Sequence, residues 1–175
     1  MNFFTNPLNV VTLFPLLGVV ALFFFDQEQK REIRWVAFLV SLITFGLSIW
    51  VLVLFDSSNP DLQMVLDLPW IQIAGWEISY AMGVDGLSIL LVLLTTLLTS
   101  ISMLSTWTAI EERVKDFMIF FLLLETGMLG VFLAQDLFLF YIFWEFTLVP
   151  MYFLIGIWGG PERMYAAVKF FLYTM

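Results

Sequence analysis

The feature that most restricts the fold of this chain is a series of long apolar runs, of which residues 136–159 form the clearest. That segment has more than 20 predominantly apolar residues, enough to cross the roughly 30 Å hydrocarbon core of a bilayer as an α-helix. One carboxylate, Glu145, stands near its middle. Because an ionisable group at mid-depth costs at least about 2.5–3.5 kcal/mol to insert, Glu145 is a candidate functional residue.

The composition indicates a membrane protein without a redox centre of its own. Of the 175 residues, 62% are hydrophobic and 13% are charged, and a net charge of −8 argues against nucleic-acid binding. The chain has no Cys and no His, so it lacks the usual ligands for haem, iron–sulfur clusters and structural zinc.

The apolar runs predict an all-α polytopic membrane protein in one membrane domain, 1–175. Five transmembrane helices and the start of a sixth are expected, at about 8–25, 35–55, 86–106, 117–134, 137–158 and 166–175. A helix of about ten residues cannot span a bilayer. We therefore expect the chain to be the N-terminal part of a longer protein, truncated at its C-terminus.

The longest polar connection, the outer loop 56–82, contains two segments with alternating apolar and polar residues. They are Trp70–Ile73 and Trp76–Tyr80, separated by the two-residue turn Ala74-Gly75. This pattern favours a short β-hairpin on the membrane surface, with an unstructured amphipathic loop as the alternative.

The basic residues predict the orientation. All seven lie in or beside alternate connections, and the connections between them have none: Lys30, Arg31, Arg34, Arg113, Lys115, Arg163 and Lys169. By the positive-inside rule the base-bearing connections face the cytoplasm or its equivalent, and the N-terminus faces out.

Glu145 is expected to have polar neighbours on its own helix. At helical spacing Tyr141 and Tyr152 share its face, so two phenols could hydrogen-bond its carboxyl group. Pro150 removes the backbone hydrogen bond to the carbonyl of Phe146 and loosens the helix there. Two interpretations follow: Glu145 is part of a proton relay, or it is a structural, permanently protonated residue bonded to a neighbouring helix.

Four other polar residues in or beside the spans have two interpretations each. Glu125 lies at nearly the same depth as Glu145, so the two form a carboxyl pair that shares a proton or face different sides of their helices. Lys169 either extends to the cytoplasmic surface or joins an intramembrane chain of polar groups. Asp85 and Asp136 lie at span ends, where capping or interfacial roles are expected.

Four segments of the sequence carry a family resemblance: Gly83–Ser88, Gly130–Asp136, Phe143–Tyr152 and Ala166–Thr174. They resemble the antiporter-like subunit M family of proton-pumping NADH:quinone oxidoreductases (respiratory complex I), called subunit 4 in mitochondria. The resemblance implies a fold of fourteen helices, built from inverted repeats of five-helix bundles with broken helices.

The resemblance also implies roles for individual residues. Glu145 matches the family's mid-membrane glutamate, which is thought to pair with a lysine on the seventh helix and to gate proton movement. That lysine lies beyond Met175. Lys169 matches a lysine common in the family, whereas Glu125 stands where the family usually has an apolar residue.

At the level of the whole protein, the resemblance implies a membrane subunit that couples electron transfer to proton translocation. No cofactor is expected in this chain, and NADH, flavin, iron–sulfur clusters and quinone are expected in partner subunits. Its partners would be other membrane subunits, lipids and protons, in an energy-transducing membrane such as the bacterial inner membrane. The alternatives are a subunit of a multi-subunit cation/proton antiporter and an inert membrane scaffold.

Overall fold

The described residues fold, in a computed structural model, into six helices and one β-hairpin. The structure describes residues 3–73 and 76–175. The elements are α1 (Pro7–Phe23), α2 (Lys30–Leu54), β1 (Gln63–Ile73), β2 (Trp76–Val84), α3 (Ser88–Ser105), α4 (Val114–Leu133), α5 (Leu137–Trp158) and α6 (Arg163–Thr174).

Four helices, α2 to α5, are long and apolar enough to cross a membrane. Helix α1 is also apolar but has 17 residues, and α6 has 12. The bounds of α5 agree with the predicted span 137–158. Helix α2 begins at Lys30 instead of the predicted residue 35, so part of the charged segment is the first turn of α2 and not a loop. Lys, Arg and Glu are good helix formers, which explains the extension.

The outer segment forms the predicted hairpin, but with longer strands. β1 and β2 pair antiparallel from Gln63 opposite Val84 to Ile73 opposite Trp76, with a register shift beside Pro69. Proline has no N–H group to donate to the ladder, so an irregularity is expected there. The predicted turn residues Ala74 and Gly75 lie outside the described residues. Most of the predicted loop 56–82 is therefore strand.

Helix α4 is the central element, because it packs against α1, α2, α3 and α5. Two glycines bring it close to α5. A Cβ atom at Gly127 would lie 2.6 Å from Cγ2 of Thr147, and one at Gly130 would overlap the ring of Phe143. Small residues allow membrane helices to approach closely, and here they set the distance between α4 and α5.

At one end of the bundle, basic side chains join the loops by hydrogen bonds to backbone carbonyl groups. Lys30 Nζ donates to the carbonyl of Glu111, and Arg34 Nη2 donates to that of Ile110. Lys115 Nζ donates to the carbonyl of Phe25 at 2.7 Å. The base-bearing connections therefore meet at the same end, as alternate connections of an up-and-down bundle should.

At the opposite end, the hairpin covers α1 and the α4–α5 turn. The Asn6 side chain donates to the carbonyl of Met64, and the Tyr80 hydroxyl donates to Asn9 Oδ1 at 2.9 Å. The backbone N–H of Gln135 donates to the carbonyl of Ala81. The hairpin is thus attached both to the N-terminal helix and to the turn that leads into α5.

Replacing Gly130 with alanine is expected to destabilise the α4–α5 contact, because the added methyl group would force the Phe143 ring to move. Overpacking of this kind costs roughly 1–3 kcal/mol. Gly46→Ala is the matched control, since nothing lies within 4 Å of a Cβ atom there. Thermal unfolding of the detergent-solubilised protein should show a lower midpoint for Gly130→Ala only. Equal midpoints for the two variants would contradict this packing.

The N-terminus of α5 should depend on the side chain of Asp136. Its Oδ1 accepts hydrogen bonds from the backbone N–H groups of Phe138 (2.8 Å) and Leu139 (3.0 Å). Asp136→Ala should cost about 1 kcal/mol and speed amide hydrogen exchange in residues 137–140. Asp136→Asn keeps an acceptor oxygen and should exchange at nearly the wild-type rate; a loss of protection as large as that of alanine would argue against capping.

Candidate proton-transfer site

Glu145 lies near the middle of α5 and is half-buried. Its carboxylate interacts with the phenol of Tyr141, one helical turn earlier. Leu148, on the same face, is buried, and Tyr141 is 51% exposed. The site thus consists of a carboxyl group and a phenol on a partly open face of α5.

The other two residues predicted to affect Glu145, Tyr152 and Pro150, have different surroundings. Tyr152 packs edge-on against the ring of Phe171, with centroids 5.8 Å apart, and links α5 to α6. Pro150 is buried inside a helix that continues unbroken to Trp158. Because proline has no N–H group, the carbonyl of Phe146 lacks its usual intrahelical donor.

Lys169 does not reach Glu145. Its ammonium group lies over the rings of Tyr165 and Tyr173, 5.6 and 5.8 Å from their centroids. In the antiparallel α5–α6 pair, the Tyr152–Phe171 contact places Lys169 nearly level with residue 154. That is nine residues from Glu145, or roughly 14 Å along the helix axis.

Glu125 and Glu145 point away from each other. Helix α4 meets α5 through Gly127 and Gly130, and α5 meets α4 through Phe143, Phe146 and Thr147. At 100° per residue, Glu125 lies about 140–160° round α4 from Gly127 and Gly130, and Glu145 lies about 160° round α5 from Phe143 and Thr147 and about 100° from Phe146. Of the two interpretations above, the structure agrees with carboxyl groups on different sides and does not form the carboxyl pair.

Glu125 is instead enclosed within the bundle. It is 0% exposed, and neither of its carboxyl oxygens has a hydrogen-bond partner among the described residues. Met118, Leu122 and Leu129, on the same face of α4, belong to the cores formed with α1 and α2. Glu125 therefore faces the interior of the α1–α4 bundle.

A set of buried hydroxyl groups in α2 was not among the predicted site residues. Ser41, Thr44 and Ser48 are all fully buried, and Ser48 Oγ lies 2.9 Å from Thr96 Oγ1 of α3. Their spacing of three and four residues places them on one face of α2. Hydroxyl residues at this spacing in an apolar segment indicate a polar contact between helices.

The remaining candidate residues act at the ends of elements. Asp85 accepts hydrogen bonds from the backbone N–H groups of Leu87 and Ser88 in the turn that leads into α3. The backbone and side-chain hydrogen bonds from Ser88 lower the pKa of Asp85. On β2, the Tyr80 hydroxyl donates to Asn9, and burial raises the pKa of this phenol to about 12.

The chain is similar to known proteins, in part to a family and over nearly its whole length to individual relatives. Residues 134–175, which include Glu145 and Lys169, match the family described as NADH:quinone oxidoreductase/Mrp antiporter, TM. NADH-quinone oxidoreductase subunit M of Rhodobacter capsulatus is 46% identical over 173 residues, which are 97% of this chain and 33% of the relative.

Two solved structures share the fold. Respiratory complex I from Thermus thermophilus with bound NADH matches with a TM-score of 0.76 and 27% identity, over 95% of this chain and 32% of the matched chain. The Mrp complex from Dietzia sp. DQ12-45-1b has a TM-score of 0.72 and 20% identity, over 98% and 18% of the two chains, and shows the fold alone.

The chain spans about a third of the length of the curated relatives that it matches. It is an integral membrane protein with apolar helices of spanning length. Over nearly its whole length it is similar to NADH-quinone oxidoreductase subunit M, and the resemblance seen in its motifs is confirmed.

Proposed function

We propose that this chain is part of a membrane subunit that couples electron transfer in an NADH:quinone oxidoreductase to proton translocation. The observation that carries the proposal is Glu145, a half-buried carboxyl group in the middle of a membrane-length helix. The similarity to subunit M over 97% of the chain supports it. A carboxyl group at that depth is expensive to insert, which makes it a functional-site hypothesis by default.

In this proposal α1 crosses the membrane together with α2 to α5, and α6 is the start of a sixth span. Helix α1 is nearly 26 Å long at 1.5 Å per residue, close to the hydrocarbon thickness. These helices would belong to the fourteen-helix antiporter-like fold. The N-terminus and the hairpin would face outward, and the base-bearing end would face inward, in an energy-transducing membrane such as the bacterial inner membrane.

The redox chemistry would take place in partner subunits. NADH, flavin, iron–sulfur clusters and quinone would bind there, since this chain has no Cys or His to hold a metal cluster. Its own contribution would be a protonatable group in the membrane, in contact with other membrane subunits and lipids.

Glu145 would change its protonation with the distance to a cation. A nearby ammonium group stabilises the carboxylate, whereas separation in a medium of low polarity favours the neutral acid. Lys169 is roughly 14 Å away along the axis and is held by two phenols, so the cation would come from another helix. Movement of that helix would then drive uptake or release of a proton.

A second candidate is a subunit of a multi-subunit cation/proton antiporter. Two observations favour considering it: the matched family description includes Mrp antiporters, and the Dietzia Mrp complex shares the fold. Gene neighbourhood distinguishes the two, because peripheral redox subunits would accompany the respiratory enzyme and small antiporter subunits the transporter.

Glu145→Gln in the full-length protein, assembled in its complex, should abolish the coupling of electron transfer to proton translocation. The substitution preserves the shape of the side chain. Positioned proton-transfer groups contribute roughly 10²-fold or more to the rates that they serve, and a loss of that order in proton pumping is expected. Pumping is measured as NADH-driven acidification in inverted membrane vesicles, with quinone reductase activity followed in parallel.

The matched control is Glu112→Gln, the same change at an exposed position at the base-bearing end. It should leave both activities unchanged. If Glu145→Gln pumps protons and reduces quinone like the wild type, Glu145 is a structural residue and the chain is a scaffold. If the wild-type complex exchanges cations for protons and shows no NADH-driven pumping, the antiporter assignment is the correct one.

A further inference from the structure

Glu125 lies in a layer of buried polar side chains at mid-depth in the α1–α4 bundle. Thr12 of α1, Ser41 of α2, and Thr95 and Thr96 of α3 are buried with it. Each lies about 9 to 11 residues from the base-bearing end of its helix, which is roughly 14–17 Å at 1.5 Å per residue. The four helices therefore place five polar side chains at one level, among apolar neighbours.

The hydroxyl groups of this layer already donate their hydrogen atoms to other acceptors. Thr12 donates to the carbonyl of Leu8 (2.8 Å), Ser41 to that of Phe38 (3.0 Å), and Thr95 to that of Leu91 (2.8 Å). A hydroxyl group has one hydrogen to donate and two lone pairs to accept with. The layer consequently offers acceptors to a neighbouring group and few donors.

No cation of the bundle reaches this level. Within the described parts of α1, α2 and α3, the charged side chains lie in the first two turns of α2: Lys30, Arg31, Glu32 and Arg34. On α4 the other charged residues are Lys115 and Asp116, in its first turn. The deepest base, Arg34, is about 10 Å nearer the end than Glu125 and donates to the carbonyl of Ile110.

These surroundings suit a carboxylic acid and not a carboxylate. A carboxylate accepts hydrogen bonds only, and a buried charge without donors or a cation is strongly unfavourable. A neutral carboxylic acid costs far less to bury without a partner than a carboxylate does, and neither oxygen of Glu125 has a partner among the described residues. Buried polar atoms without partners, such as both oxygens of Glu125, require an explanation of this kind.

We propose that Glu125 is a second proton-binding site, occupied at neutral pH and independent of Glu145. A cleft of about 200 Å³ between α3 and α4 passes beside the layer and is lined in part by Thr95, Thr99 and Ser102. The rest of the lining is apolar, and Glu125 itself does not line the cleft. The bound species is a proton, held on a carboxyl oxygen.

The test is infrared spectroscopy of the full-length protein in its complex at pH 7, with glutamate and aspartate side-chain carboxyl groups labelled with ¹³C. The label separates their carbonyl band from those of lipid esters. The wild type should show the band of a protonated carboxyl group, and Glu125→Gln should lose an intensity equal to one such group. Glu125→Asp, which keeps the acid, should shift the band, and this variant decides the question if the glutamine variant fails to assemble.

Glu145→Gln is the control for independence, and it should leave the Glu125 band unchanged. Unaltered spectra in both Glu125 variants would overturn the proposal, as would loss of the band in Glu145→Gln. Normal proton pumping by Glu145→Gln, together with loss of the band in Glu125→Gln, would overturn only the function proposed above.

Discussion

The structure depends on one constraint: a polar group within the bilayer has no water with which to form hydrogen bonds. The helices satisfy their own backbone groups, and the hydroxyl side chains of α1, α2 and α3 donate to carbonyl groups one turn earlier. Polar side chains can therefore be buried without opening the bundle. The two carboxyl groups are not satisfied in this way: Glu125 has no hydrogen-bond partner among the described residues, and Glu145 interacts with the phenol of Tyr141.

The carboxyl groups of Glu145 and Glu125 lie in different surroundings. Glu145 lies on a partly open face of α5 beside a phenol, where a group from another helix can approach it. Glu125 lies in a closed interior of apolar and hydroxyl groups. Two residues of the same type at similar depth thus differ in their access to a partner.

Much of this architecture could be predicted from the sequence, because hydrophobic length and charge placement act along the chain itself. The bounds of α5, the hairpin and the convergence of the basic connections follow from such local signals. The facing of Glu125 could not be predicted in this way. It depends on Gly127 and Gly130, which turn one side of α4 towards α5 and leave the glutamate on the other. The early start of α2 does not follow from hydrophobicity, because its first residues are charged, but Lys, Arg and Glu are good helix formers.

The basic side chains at one end of the bundle hold its loops together mainly through backbone carbonyl groups. Lys30, Arg34 and Lys115 bind carbonyl groups, and the described residues contain a single ion pair, between Arg113 and Asp116. The residues from which the orientation of the chain is predicted thus also hold its loops together. A substitution of one of these bases would therefore change the loop contacts as well as the charge on which that prediction depends.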